Sequence, residues 1–135
     1  MKLELTDQEF RYLLDLVYIG NWVLNSTRGD DRIEEYDQVE GKVFSHCVPQ
    51  GMPKLVERYR GSLIPSRAFA DGGIHEAIAD YEDAVFFDIL AEELARRDLG
   101  CLDSEPADYT ELNARMDEYM DEFEKSGVEN LVLET

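Results

Sequence analysis

A chain of 135 residues, 44% hydrophobic and 33% charged, is long enough for one self-sufficient core and too apolar for a disordered acidic tail. Its net charge of −18, from 31 acidic and 13 basic residues, opposes direct contact with nucleic acid or an anionic membrane. Two cysteines do not make a disulfide scaffold, no apolar run reaches the roughly 20 residues of a membrane span, and residues 1–10 lack the pattern of an export signal, so we expect a cytoplasmic protein in a reducing compartment.

The segment Lys2-Leu3-Glu4-Leu5 alternates polar and apolar, as a short half-buried strand does. Thr6-Asp7-Gln8-Glu9 matches a capping box and starts a first helix that runs to about Ser26. Phe10, Leu13, Leu14, Val17, Asn21 and Leu24 share one face of it. Gly20 costs that helix about 1 kcal/mol against alanine, which a close helix–helix crossing would explain. A second helix fits residues 32–47, with Ile33, Tyr36, Val39, Val43, Phe44 and Cys47 as its apolar stripe and Asp30 or Asp31 as its cap. Proline and glycine make residues 48–53 a loop, Lys54 to Tyr59 suits a short helical turn, and Gly61 to Pro65 suits an extended edge piece.

Ala70-Asp71-Gly72-Gly73 reads as a break and a hinge. The longest helix follows, from about Ile74 to Leu99, and its broad apolar face (Ile78, Tyr81, Val85, Phe86, Ile89, Leu90 and Leu94) makes it the expected central core helix. Arg96 and Arg97 suit its C-terminal end, and Gly100 suits the residue just past it. Ser104-Glu105-Pro106 signals the start of a last helix reaching Ser126, striped by Tyr109, Leu112, Met116, Tyr119 and Phe123. Val128 to Glu134 looks like a final strand. The expected fold is therefore mainly α (α+β), a single domain over 1–135 with about four helices packed as a bundle and a small antiparallel sheet formed by the terminal strands.

Charge is segregated along the chain. Residues 1–40 carry −6, residues 41–70 carry +4 and residues 71–135 carry −16. Glu76, Asp80 and Asp83 align on the long helix, and Asp117, Asp121 and Glu124 align on the last. Such rows ordinarily face water. Aligned carboxylates also imitate the charge array of duplex DNA, and carboxylates on neighbouring helices are able to hold Mg²⁺ or Mn²⁺. The pairs Glu118–Glu122 and Asp117–Asp121 resemble, in spacing, the acidic helices of all-α nucleoside triphosphate pyrophosphohydrolases. That resemblance implies a metal-dependent phosphohydrolase whose acids face the bundle interior, whereas here the acids flank the Met116, Tyr119 and Phe123 stripe. The segments Tyr18-Ile19-Gly20-Asn21-Trp22 and Arg96-Arg97-Asp98-Leu99 are similar to ones in uncharacterised bacterial proteins, a likeness that implies no activity.

His46, Cys47, His75 and Cys101 have no compact zinc spacing, and neither cysteine lies in a nucleophile motif. Gly72-Gly73 precedes a helix but lacks the lysine of a phosphate-binding loop. Lys54, Arg58, Arg60 and Arg67 form a basic segment expected to pack on the protein's own acidic helices or on those of a second copy. Tyr12, Tyr18 and Trp22 lie off the main stripe of the first helix, so they either pack on a second side or mark an interface. The candidate interaction surface is thus Tyr12, Tyr18, Trp22, Lys54, Arg58, Arg60, Arg67, Glu76, Asp80 and Asp83. We expect no cofactor and no catalysis. The expected role is interaction or regulation, through a homodimer or another protein partner, with the metal-dependent phosphohydrolase and the DNA mimic as alternatives.

Overall fold

Thr6 begins the first helix by accepting a hydrogen bond from the backbone N–H of Glu9, whose carboxylate accepts in return from the N–H of Thr6. The structure, a computed structural model, describes residues 1–134. It is mainly α. Four principal helices occupy the described residues, α1 (Asp7–Asn25), α2 (Glu34–Phe44), α4 (His75–Asp98) and α5 (Tyr109–Ser126). Between α2 and α4 lie a two-stranded hairpin, β1 (Val56–Tyr59) and β2 (Ser62–Pro65), and the short helix α3 (Arg67–Phe69). The chain divides into two compact units, Met1–Ile78 and the residues from Ala79 onward, with the boundary inside α4 rather than at a linker.

The first unit packs α1 on α2 and α2 on β2. Its core joins Phe10, Leu14, Phe44, Cys47, Phe69 and Ile74, and the Phe44 and Phe69 rings meet edge to face at 5.0 Å. α1 buries Phe10 and Leu14 as its periodicity requires. Further along, Asn21 and Asn25 are the buried residues while Leu24 is exposed. On α2, Phe44 is buried but Tyr36 and Val39 are exposed, so the inward face is turned toward Ile33, Asp37 and Glu40. The sequence stripe is corrected there.

Lys54 to Tyr59 is not helical beyond a 3₁₀ turn at Pro53–Leu55. The chain then enters β1, paired antiparallel with β2 from Val56↔Pro65 to Tyr59↔Ser62. Arg60 and Gly61, with φ of 50° and 82°, form the two-residue connection that matches the strand twist. This internal hairpin replaces the terminal sheet. Residues 2–5 and 128–134 form no strand. After Ser126 the chain makes only turns, Glu129 bonding back to Ser126 and Leu131 to Val128. Alternation over four or five residues does not hold a strand without a partner ladder, and Leu131-Val132-Leu133 lacks even the alternation.

Ser66 caps α3, accepting from the Phe69 N–H and donating to the Lys54 carbonyl. Residues Ala70–Ile74 form a wide π-type turn, and the break sits at Gly73, whose φ of 114° redirects the chain into α4.

In the second unit α5 returns antiparallel to α4. Asp98 meets Arg115 and Tyr119, and Phe87 meets Phe123 with ring centroids 5.3 Å apart. Gly100, at φ 69°, closes α4: its N–H bonds to the Arg97 carbonyl and the Cys101 N–H to that of Arg96. α5 starts at Tyr109, later than the Ser104-Glu105-Pro106 signal, because Asp108 supplies the cap to the Thr110 N–H. Cys101, Leu112 and Phe123 are buried, as are Ala91 and Ala95 of α4. The expectation of a central core helix fails for α4, since Tyr81, Phe86 and Ile89 are exposed. Among the described residues no helix is long and apolar enough to cross a membrane.

Candidate functional site

Helical spacing places Tyr18, Asn21, Trp22 and Asn25 on the side of α1 that faces α2 and the start of α4. Asn25, buried, holds the connection into α2. Its Nδ2 donates to the Ile33 carbonyl at 3.0 Å and to Asn21 Oδ1 at 2.7 Å, and its Oδ1 accepts from the Ile33 N–H at 2.9 Å. Asn21 Nδ2 passes the chain on to Asp37 Oδ1 at 2.9 Å. Arg32 grips the same carboxylate with two bonds, Nε to Oδ2 at 2.6 Å and Nη2 to Oδ1 at 2.7 Å. Asp37 is held below the usual carboxylate range by Arg32, with Asn21 assisting, and Arg32 is raised by Asp37.

Glu40 lies one turn beyond Asp37 on the same face of α2. Burial is the main reason that its carboxyl is pushed up to about 7. The charge on Asp37 adds to the rise, while Asn21 and Arg32 oppose it. Within the first unit Glu40 has no ion-pair partner, because Arg32 is committed to Asp37. Tyr18 is raised by burial and then by the nearby Glu40 charge.

His75 packs against the two aromatic residues of α1. The turn at Gly73 brings its ring edge-on to Tyr18 at 5.5 Å and to Trp22 at 4.8 Å, and its Nε2 shares a 2.7 Å hydrogen bond with the Tyr18 hydroxyl. Tyr18 and Trp22 stack with centroids 6.3 Å apart. Tyr18, Asn21, Trp22, Ser26, Arg32 and Glu40 line an open cleft of about 370 Å³. Its lining offers one carboxyl without a cation, a guanidinium already spent, and two aromatic rings.

No family model, curated protein or solved structure matches the chain. The cleft and the surface must therefore be interpreted from their own chemistry.

The residues singled out from the sequence divide among four places. Tyr18 and Trp22 line the cleft, whereas Tyr12 is exposed on α1 and accepts only a 3.4 Å hydrogen bond from Gln8. Lys54, Arg58 and Arg60 are exposed and have no acidic partner within the first unit. Arg67 reaches only Asp71, one turn away, at 3.5 Å. Within the first unit the basic segment thus makes a single ion pair, from Arg67 to the neighbouring turn, and Lys54, Arg58 and Arg60 make none. Arg58 borders a shallow groove with Lys42, and the Arg60 guanidinium lies 5.1 Å from the centre of the Tyr59 ring. Glu76, Asp80 and Asp83 are exposed.

In the second unit Glu118 pairs with Arg115 at 3.0 Å and Glu122 accepts from Asn130, while Asp117, Asp121 and Glu124 are exposed. Among the described residues no three His, Cys, Asp or Glu side chains converge as a metal site requires. Cys47 and Cys101 are buried free thiols, and burial raises that of Cys47, which makes it a poor nucleophile.

Glu40 in the lining, and Asn25, Asp37 and His75 bonded to lining residues, were not singled out from the sequence as a group. The available signal was the matching spacing of Asn21 and Asn25 on α1 and of Ile33, Asp37 and Glu40 on α2.

Proposed function

We propose that this chain is a non-catalytic binding protein whose α4–α5 hairpin accepts a basic amphipathic helix from a partner. One observation carries the proposal. Tyr81, Phe86 and Ile89 of α4 are 64%, 50% and 60% exposed among the carboxylates Glu82, Asp88, Glu92 and Glu93, with the Phe86 ring edge-on to that of the half-buried Phe87. A helix with apolar residues on both sides ordinarily has cover on both. The acidic border specifies what that cover carries, because residues 79–135 hold 18 acids against four bases. The apolar strip distinguishes this partner from one that reads a DNA-like phosphate array, which would meet no apolar residues at its centre.

The test is fluorescence anisotropy with a labelled helical peptide of alternating leucine and lysine faces, using a leucine/glutamate peptide as control. Saturable binding of the basic peptide alone is expected, weakened roughly tenfold or more by Phe86→Ser with Ile89→Ser. Equal binding by the parent and the double variant would sink the proposal.

Self-association is a second reading, supported by the exposed Tyr12, Leu16 and Val23, which run along one side of α1. Sedimentation equilibrium of the parent and of Leu16→Glu decides it. A dimer lost in the variant supports it, and a monomer at every concentration removes it.

A further inference from the structure

We infer that the cleft lined by Tyr18, Trp22, Arg32 and Glu40 is a binding site for an organic cation, an ammonium or guanidinium group seated on the Glu40 carboxylate and against the indole of Trp22. This site belongs to the first unit and does not rest on the hairpin proposal.

The lining selects the sign of the ligand. An anion would meet Glu40, with Asp37 behind it. The only cation in the lining, Arg32, already spends two hydrogen bonds on Asp37. A cation meets a carboxylate that lacks a counter-ion in the unit. Burial makes the charged form of Glu40 costly, and an incoming positive charge offsets that cost.

The lining also selects organic cations over metal ions. Mg²⁺ and Ca²⁺ require several oxygen ligands in a tight shell, and no such set converges here among the described residues. Trp22, 38% exposed, and Tyr18 instead provide π surface, which attracts poorly hydrated cations such as alkylammonium and guanidinium. His75 does not fill the role itself, because its Nε2 is engaged with the Tyr18 hydroxyl. The cleft, about 370 Å³ and open to solvent, has room for one such headgroup with its chain leading outward. The net charge of −18 raises the local concentration of any cation. The headgroup has two possible sources, a free amine and a lysine or arginine side chain of a protein, and both present the same chemistry.

Trp22 is the single tryptophan of the chain, so its emission reports directly on occupancy. The probes are methylamine, choline and methylguanidine, each read against sodium chloride at equal ionic strength, and short peptides containing one lysine or one arginine. The expected result at pH 8 is a saturable change with at least one probe, weakened about tenfold or more in Glu40→Gln. Tighter binding of a peptide than of its free headgroup points to a protein side chain, and the reverse points to a small amine.

Affinity should also fall about tenfold from pH 8 to pH 6, as Glu40 takes up a proton. The other titratable groups in or bonded to the lining are Tyr18 from α1, Arg32 and Asp37 from the approach to α2 and α2 itself, and His75 from α4. Asp37 is shifted down, and Arg32 and Tyr18 up, so none of these three changes charge in that interval. Glu40→Gln retains every one of these groups, so loss of the pH step in that variant assigns the step to Glu40, and a step that persists overturns the assignment. The indole N–H resonance of Trp22 provides a second readout on the same samples and verifies that the variant is folded. No saturable response beyond that of sodium chloride with any probe, or equal affinity in folded Glu40→Gln, overturns the inference.

Discussion

Glu40 sets the pH response of the first unit, and the sign follows from its raised carboxyl. The unfolded chain titrates this group near 4.5 and the folded chain near 7, so between those values the folded state holds more protons. Stability contributed by neutral Glu40 is therefore present at acid pH, declines as pH rises from 4.5 to 7, and stays lost above 7. The whole shift would correspond to about 3 kcal/mol, and partial solvent access reduces this to roughly 1–2 kcal/mol. Glu40→Gln should consequently be more stable than the parent by that amount at pH 8 and equal to it at pH 4. Urea unfolding at the two pH values measures the difference, and a variant that is less stable at pH 8 contradicts the cause assigned here.

Two glycines provide a second contrast at the residue scale. A Cβ at Gly20 meets nothing within 4 Å, so the expected close crossing is absent there. A Cβ at Gly41 meets the Leu63 carbonyl oxygen at 3.0 Å, where α2 crosses β2. Gly20→Ala should stabilise by roughly 0.5–1 kcal/mol through helix propensity. Gly41→Ala gains the same propensity but must push a strand carbonyl away, for a net loss of roughly 1 kcal/mol. Opposite shifts in the midpoint of thermal unfolding are the expected outcome.

At the scale of elements, what could be read from the sequence was what local chemistry decides. The capping box of Thr6 and Glu9, the Gly100 terminus of α4 and the extent of α1 all depend on residues within one turn of each other. The face of α2 could not be read in that way. Hydrophobic periodicity favoured Tyr36 and Val39, whereas Asp37 turns inward because Arg32, in the approach to α2, compensates it and Asn21, on another helix, solvates it, and Glu40 follows on the same face. The cleft was hidden for the same reason: Tyr18 and Trp22 were noticed as aromatics, but the partner that orders them, His75, follows a bend at Gly73 far along the chain. The hairpin was missed because Arg60-Gly61 is not a usual pair for a turn with both residues at positive φ. Arg60→Asn should relieve that cost and stabilise by roughly 0.5 kcal/mol. Asn25 tests the connection between α1 and α2. Its removal strands the N–H and carbonyl of Ile33, so Asn25→Ala should cost roughly 2–3 kcal/mol and speed amide exchange at Ile33 above all other positions in the unit. A variant with unchanged exchange there would mean that the clamp is not what holds the loop.

At the scale of the whole molecule, charge is balanced in one unit and unbalanced in the other. Residues 1–78 hold 13 acids and nine bases, a net of −4, whereas the remainder hold 18 and four, a net of −14. The three arginines of the second unit are already used, Arg96 near Glu92 and Glu105, Arg97 on Asp98, and Arg115 on Asp98 and Glu118. Most of its carboxylates therefore repel one another without compensation. Exposed pairs such as these contribute little, so screening them loses less than screening the repulsion gains. The screening length falls from about 30 Å at 0.01 M salt to less than 10 Å at 0.5 M, which is shorter than the span of a helix face. Added sodium chloride should then raise stability by roughly 1–2 kcal/mol, or about 3–10 °C in midpoint for a chain of this length. Residue-resolved amide exchange locates the effect: α5 should gain more protection from salt than α1. A midpoint that falls with salt, or a gain confined to α1, would mean that the ion pairs of the second unit outweigh its surplus of carboxylates. In that case the acidic border of α4 would be too well neutralised to select a basic partner.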